Sequence, residues 1–401
     1  MKLTTAAFTH ALRAALRPGM TVALGDGMGE LRCLDDGTSI GRVLSAAARE
    51  VGSVRLVLGW LPASIDGLDA DAFADVVALM PGWGVREVLR SPKARFLPTR
   101  LAAIPALLTD VLRPDVLLTR LVRRNDELQF GTEVSWQRAA IDSGARTLGV
   151  IDTEAPAASA EPALDPSAVE VLGTVCGGVV QLAERTPDPI HEALADAVLR
   201  LVPEGARLQY GPGQLGTALL RRARVPLRID TGLLTDAVVD LDKRGLLVDT
   251  PSATYLFGTD ALYDWADGRP ILHGVDYTHD LSRLSRGAPL IAVNTAIELD
   301  PWGLGQRRRR RREGGRRHRR APRLLRRRQD EPRWAVDHRR PFFDQWPLTP
   351  GRATEPPRVH ARPRRRRDRH RIGPGGSSRR RLGATPQTHH RTLRPLKDSQ
   401  L

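Results

Sequence analysis

Along the first 300 residues, short apolar runs alternate with segments whose apolar positions recur every three or four residues. Residues 20–24 (MTVAL) and 53–58 (SVRLVL) read as buried strands, and 39–51 (SIGRVLSAAAREV) between them reads as a helix. Further strands are expected at 115–121, 147–151, 207–210, 227–229, 253–257 and 290–293, and further helices at 190–202 and 216–222. This alternation predicts βα units and mostly parallel sheets, hence an α/β fold. Residues 153–167 (TEAPAASAEPALDPS) hold three prolines and no periodic apolar face, so they read as a surface connection. A lobe boundary is expected within 153–188, which gives an α/β domain over 1–180, the start of a second over 181–305, and a tail over 306–401.

Charge divides the chain at the same place as the pattern. The formal net charge is +16, but residues 306–401 carry +24, from 31 Arg, one Lys and eight acids. Residues 1–305 carry −8. An acidic body is joined to a basic tail rather than one basic protein being spread along the chain. Two cysteines, Cys33 and Cys176, exclude a disulfide framework and point to a reducing compartment, the cytoplasm. No apolar run reaches membrane-spanning length, since 169–182 is broken by Glu170, Gly173, Gly177 and Gly178. The N-terminus has one Lys and no apolar core before a small-residue cleavage site, so no signal peptide is expected.

Three turns at strand ends carry the candidate chemistry. Residues 25–30 (GDGMGE) follow a strand, where a Gly-rich loop brings backbone N–H groups close to phosphate, although a tight turn accounts for the same residues. The loop is not G-x-G-x-x-G, so the dinucleotide fingerprint is not met. Residues 209–213 (QYGPG) lie between a strand and a helix. There the glycines admit a ligand to the backbone and Gln209 can donate an amide N–H to a carbonyl oxygen, and a plain βα turn is the simpler reading. Residues 230–236 (DTGLLTD) place two acids about a turn at a strand's C-terminal end, where open α/β folds hold ligands. Helix capping by Thr235 or Asp236 fits equally. His10, His191, His273 and His279 show no metal-ligand spacing, so no metal site is expected, and no G-x-S-x-G elbow occurs.

Taken in order, these stretches resemble the acetyl-CoA hydrolase/transferase family, which includes 4-hydroxybutyrate CoA-transferases. Residues 27–30 (GMGE) are similar to its early glycine–acid turn, and 115–131 (DVLLTRLVRRNDELQFG) to a block written D-V-A-L-I-x-x-S-P-P-D-x-x-G-x-x-S-x-G. Residues 208–213 (LQYGPG) resemble its L-Q-x-G-I-G turn, and 258–264, 275–280 and 292–300 resemble three further blocks. The resemblance covers about 15–300. It implies two CoA-transferase-like open α/β domains that exchange CoA between acyl-CoA thioesters and small carboxylates such as acetate through a glutamyl-CoA intermediate, or hydrolyse acetyl-CoA. The coenzyme A thioester is then a substrate and no bound cofactor is implied. It further implies acyl-CoA and a carboxylate as partners, a family-like homo-oligomer, and CoA or oxyanion contacts at Gln209, Gly211, Gly213, Gly29 and Glu30. A carboxylate attacking a thioester needs N–H donors facing the developing oxyanion.

The chain departs from the family at the nucleophile. A block like H-T-E-M-x-S-D-G stands here as DTGLLTDA, with Gly232 in the Glu position. Glycine forms no acyl anhydride, and the nearby carboxylates of Asp230 and Asp236 are two and four residues away. No catalytic carboxylate is therefore assigned, which leaves three readings open. One is a transferase or hydrolase relative that has lost activity, another a silent acyl-CoA-binding protein, and the third a non-specific nucleic-acid binder acting through the tail.

The tail itself reads as a slipped frame. It has almost no Lys, although basic nucleic-acid tails mix Lys with Arg, and it shows no recognised binding module. In a GC-rich gene, glycine codons GGC-GGC shifted by two bases read CGG, which is Arg. Written CGG CAT CGG CGG GCA CCC CGA CTA CTG and regrouped by one base, residues 317–325 become Gly-Ile-Gly-Gly-His-Pro-Asp-Tyr-Cys, similar to the family's glycine-rich CoA signature. The same shift through 334–343 permits a strand-like run, and through 360–372 a further family-like block. The switch is placed between Asp300 and Arg307. As translated, the second domain is then truncated, its sheet edges are exposed, the tail is disordered, solubility is low and transferase activity is absent.

Overall fold

The structure, a computed structural model, describes residues 1–26, 33–80, 82, 84–176, 179–182 and 184–295, and the backbone of 298–299 and 305–306. The expected disorder of the tail, the frame switch, Gly29 and Glu30 all lie outside the described residues.

Apolar runs form the large sheet as the pattern predicts. Its strands are β1 (Thr21–Leu24), β2 (Arg55–Leu58), β3 (Asp75–Ala78), β4 (Ala94–Phe96), β5 (Val116–Arg124), β6 (Glu127–Gln129), β7 (Arg146–Asp152) and β8 (Val169–Val175). They run in the order β4-β3-β2-β1-β5-β7-β8, all pairs parallel, with β6 folded back antiparallel on β5. All four residues of β1 and the first seven of β5 are buried. Parallel strands covered on both faces take that pattern. The helix Ile40–Val51 crosses between β1 and β2. Ser39 caps it, its Oγ accepting from Gly41 N at 3.2 Å and donating to the Asp66 carbonyl. One ion sits inside this sheet. Arg120 of β5 is 1% exposed and donates to Asp152 of β7 at 3.1 Å, with Thr132 and Glu133 on its other nitrogen. Two carboxylates and a hydroxyl around one guanidinium satisfy the charge that burial would otherwise penalise.

The second sheet is small and forms the base of the candidate site. Strands β9 (Ala206–Tyr210), β10 (Leu227–Ile229) and, later in the chain, Leu290–Val293 pair in parallel with β9 in the centre. Between them in sequence, β11 (Leu233–Leu234) pairs parallel with β12 (Tyr255–Leu256), so Leu290–Val293 is β13. Strands β9 and β10 are joined by the helix Gln214–Arg222, and Pro189–Leu199 packs beside it, capped by Asp188, which accepts from His191 N at 2.9 Å. The Asp188 carboxyl is held below its ordinary range by that backbone hydrogen bond.

Several expectations need correction. The strand expected over 253–257 shrinks to Tyr255–Leu256, and Ala253 makes an isolated bridge to Leu272 instead. The connection at 153–167 is no plain surface loop. Ala157, Ala158 and Leu164 are buried, and Ser159 and Leu164 bridge to Leu272 and Leu128. Backbone pairing, rather than an apolar period, holds that segment. No described helix is long and apolar enough to cross a membrane.

Candidate functional site

The C-terminal ends of β9, β10 and β13 meet at one edge. Beyond β9, Gly211, Pro212 and Gly213 lead into the helix Gln214–Arg222, and beyond β13 stand Asn294 and Thr295. Together with Leu215, Gly216, Leu219 and Val293 these line a recess of about 160 Å³. The first turn of a helix leaves backbone N–H groups without intrahelical partners, which suits an anion or a developing oxyanion. Gly213 has φ +122°, a region L side chains rarely adopt, and a Cβ at Gly216 would run into the Gly211 carbonyl oxygen. Both glycines are thus required for the turn to close against the helix. Replacing Gly216 by Ala is expected to lower stability by about 1–3 kcal/mol and to weaken ligand binding at the recess. Thermal unfolding together with ligand titration checks both effects.

Gln209 holds this edge together. Its buried amide donates one N–H to the Tyr210 carbonyl at 2.8 Å, and its Oε1 accepts from Asn294 Nδ2 at 2.9 Å. Thr231 Oγ1 donates to the same Tyr210 carbonyl at 3.0 Å, which ties the turn after β10 to the turn after β9. The Tyr210 hydroxyl is fully buried and accepts from Thr235 N, and burial keeps it protonated well above its ordinary range.

The acids at 230 and 236 are both engaged. Asp230 receives Arg207 at 2.7 Å and both terminal nitrogens of Arg283 at 2.7 and 3.0 Å. Asp236 stands at the start of the helix Ala237–Lys243 but makes no side-chain cap, so the capping alternative for that residue does not hold. Its carboxylate accepts from Thr259 N and, at 2.7 Å, from Thr259 Oγ1. Gly232 lies between them, partly exposed, and its carbonyl accepts from Thr254 N and Tyr255 N. Apart from its chain neighbours, a Cβ built at Gly232 meets Cε1 and Nε2 of His279 within 4 Å among the described residues, both at 3.7 Å.

Two groups here hold places that the sequence reading did not give them. His279, 8% exposed, hydrogen-bonds through Nδ1 to Thr278 Oγ1 at 2.9 Å, and Thr278 Oγ1 contacts Thr254 Oγ1 at 2.6 Å and the Gly274 carbonyl at 3.1 Å. The second group joins the end of the large sheet to the β11–β12 pair. Asp26 accepts from Trp60 N, Trp136 Nε1 and Tyr255 Oη at 2.7, 3.1 and 2.8 Å, and Ser135 Oγ lies 2.8 Å from the same phenol. Ser135 is left-handed at φ +53°, a strained conformation of the kind that collects at functional sites. Asp26 belongs to the Gly-rich loop read in the sequence, where nothing marks it as buried. Among the described residues no group of three or more His, Cys, Asp or Glu could hold a metal ion.

Comparison with known proteins bears on the fold and on the class of its relatives. The chain is 21% identical over 241 residues to 4-hydroxybutyrate coenzyme A transferase of Clostridium kluyveri, covering 56% of each chain. It is 26% identical over 235 residues to succinyl-CoA:cyclohexane-1-carboxylate CoA transferase of Geobacter metallireducens, covering 54% of this chain and 53% of the relative. A butyryl-CoA:acetate CoA-transferase of Anaerostipes caccae is 30% identical over 128 residues, 28% of this chain and 29% of the relative. The curated relatives of this chain are CoA-transferases. The chain spans about half the length of the two it matches most extensively. No protein-family model matches it. Two solved structures share the fold. RipA from Yersinia pestis superposes with a TM-score of 0.66 at 17% identity, over 77% of this chain and 76% of that one. A 4-hydroxybutyrate CoA-transferase from Porphyromonas gingivalis superposes with a TM-score of 0.57 at 17% identity, over 73% of each. The parallel α/β architecture is therefore that of CoA-transferase-like proteins.

Proposed function

We propose that this chain is a CoA-transferase-like protein that binds acyl-CoA thioesters but does not pass the acyl group through a glutamyl intermediate. One observation carries the reading, namely that a glycine occupies the Glu position and neither neighbouring carboxylate can replace it. Asp230 is locked between two guanidinium groups and Asp236 between two donors of Thr259. A carboxylate so engaged would have to give up charge-assisted hydrogen bonds before attacking a thioester carbon. The recess beside the helix Gln214–Arg222 supplies the N–H groups for the thioester oxygen or a CoA phosphate, with Gly211 and Gly213 as its floor.

The second part of the proposal concerns the gene. The segment after β13 is read out of register, so the glycine-rich CoA signature is replaced by arginines and CoA binding is weakened. Resequencing between the codons for Ala292 and Arg320 tests this, and an intact reading frame there would refute it. The protein is placed in the cytoplasm, with acyl-CoA and a small carboxylate as its partners and no specific nucleic acid. Titration with acetyl-CoA and butyryl-CoA, followed by transfer of labelled acetate into the CoA pool, tests the function. Binding without label exchange is expected. Exchange by the purified chain as written would overturn the proposal.

A further inference from the structure

A carboxylate outside the candidate site stands between two cationic side chains, one of which titrates. Glu161, in the connection between β7 and β8, lies 3.6 Å from Arg138 Nε through Oε2 and 4.0 Å from His273 Nδ1 through Oε1. Both separations exceed hydrogen-bond distance, so neither partner has captured the carboxylate. Its Oε1 accepts instead from the Gly274 backbone N–H at 3.0 Å. The three side chains are between 20% and 23% exposed, buried enough to interact and open enough to exchange protons with solvent. The His273 backbone is held on both sides, its N–H donating to the Ala253 carbonyl at 2.8 Å and its carbonyl accepting from Thr254 Oγ1 at 3.1 Å. Movement therefore falls to the ring. That ring stacks on Tyr277, 4.1 Å between centroids and 23° between planes, and the Arg283 guanidinium lies 4.2 Å from the same centroid. Two groups so close to one ring centre must take its opposite faces. Arg283 in turn holds Asp230 at 2.7 and 3.0 Å. The titratable and charged groups around His273 are thus Glu161 of the connection, Arg138 of the helix Gln137–Asp142, Asp276 and Tyr277 of the helix Val275–Thr278, Arg283 of the helix Leu281–Ser285, and Asp230 beyond β10. Burial, the largest influence, lowers the imidazole below its ordinary value of 6.5, with Arg283 acting in the same sense and Glu161 against it.

We propose that His273 and Arg138 compete for Glu161 as a pH-sensitive latch, the neutral ring leaving the carboxylate to Arg138 and the protonated ring taking it. The inference is independent of acyl-CoA binding. A neutral imidazole carries hydrogen on one nitrogen, whereas the imidazolium carries it on both, so protonation guarantees a donor at Nδ1. Closing the 4.0 Å gap to a charge-assisted hydrogen bond then takes a shift of about 1 Å. The only chemical change is one proton passing from solvent to the ring. Protonation also sets a cation on the face of Tyr277 opposite Arg283. The two positive groups repel across the ring, and the grip of Arg283 on Asp230 loosens. The folded ring is harder to protonate than the unfolded one. The stability it contributes is therefore complete above about pH 6.5 and declines as pH falls below that value. Acid sensed beside a surface connection is felt at Asp230, at the end of β10.

The test uses the full chain with histidine carbon-13-labelled at Cε1, followed by NMR through a pH titration. The His273 resonance is the one lost in His273→Gln, and its midpoint is expected below 6.5. Glu161→Gln should lower that midpoint further, and Arg138→Gln should raise it, each by roughly half a pH unit or more. In the Glu161→Gln background Arg138→Gln should have little further effect, because nothing is left to compete for. Deuterium exchange over 277–283, corrected for the intrinsic effect of pH, should be faster at pH 5 than at pH 8 in the parent and alike at the two in His273→Gln. A midpoint left in place by either folded single variant overturns the proposal. So does an Arg138→Gln shift that is equally large with and without the Glu161 carboxylate, since that is plain charge removal rather than competition. Exchange that responds to pH equally with and without His273 also overturns it. If Arg138→Gln does not fold, Arg138→Lys with the Glu161→Gln titration decides the matter, the lysine keeping the parental midpoint and the glutamine lowering it.

Discussion

Gly232→Glu in the frame-restored chain is expected to produce acyl exchange between butyryl-CoA and acetate, on the order of 10⁴-fold or more above the parental rate. That is the scale lost when a covalent nucleophile is removed from an enzyme built around it. The position tolerates the change. Its φ lies outside the left-handed range, and a Cβ there makes only ordinary van der Waals contact with His279. The new carboxylate would enter beside the Gly211–Gly213 turn, where the Thr231 hydrogen bond holds the β10 end. Hydroxylamine trapping followed by mass spectrometry should find the glutamyl adduct at residue 232. If the proposed frame slip holds, the same substitution in the chain as written should bind acyl-CoA weakly and exchange little. Vigorous exchange in the chain as written would contradict the slipped frame, and none in the doubly corrected protein would contradict the assignment of position 232.

Asp230→Ala is expected to cost about 3 kcal/mol of stability, at the lower end of what breaking a buried charge pair costs. Thermal denaturation should show a fall of about 5 °C in midpoint for a folded body of this size. The carboxylate is 8% exposed and its partners Arg207 and Arg283 are 14% and 22% exposed, so two guanidinium groups would be left in a poorly solvated place. Arg283 also lies 4.2 Å from the ring centroid of Tyr277, so its release would loosen the segment that carries Thr278 and His279. Glu50→Ala provides the contrast. Its pair with Arg13 is more than half exposed, and its loss should shift stability by less than about 1 kcal/mol. Equal effects from the two substitutions would show that Asp230 is not structural.

The large parallel sheet was legible because strands such as β1 and the first seven residues of β5 are buried on both faces. Residues 227–229 and 290–293 were placed at their true ends, and 20–24 and 207–210 within one residue. Strands β3 and β4 escaped the sequence reading, β4 because its largely exposed Ala-Arg-Phe shows no apolar run. The helix Thr5–Ala15 was also missed, although Phe8, Ala11, Leu12 and Ala15 form its buried face at helical spacing. At the site, the turn 209–213 was visible from its glycines, whereas the engagement of Gln209 by Tyr210 and Asn294 was not. Gly232 and His279 stand 47 positions apart in the sequence. No spacing rule links them, because a strand end and a short helix bring them together only through tertiary packing.

The hydrogen bond between Tyr255 and Asp26 spans 229 residues. At synthesis rates of roughly 5–20 residues per second, Tyr255 follows Asp26 from the ribosome by roughly 10–50 s. Throughout that interval the N-terminal sheet must exist without the phenol that fills the space between Asp26, Ser135 and Met80. Until residue 255 emerges, Asp26 has Trp60 and Trp136 but lacks one of the donors that surround it in the finished fold.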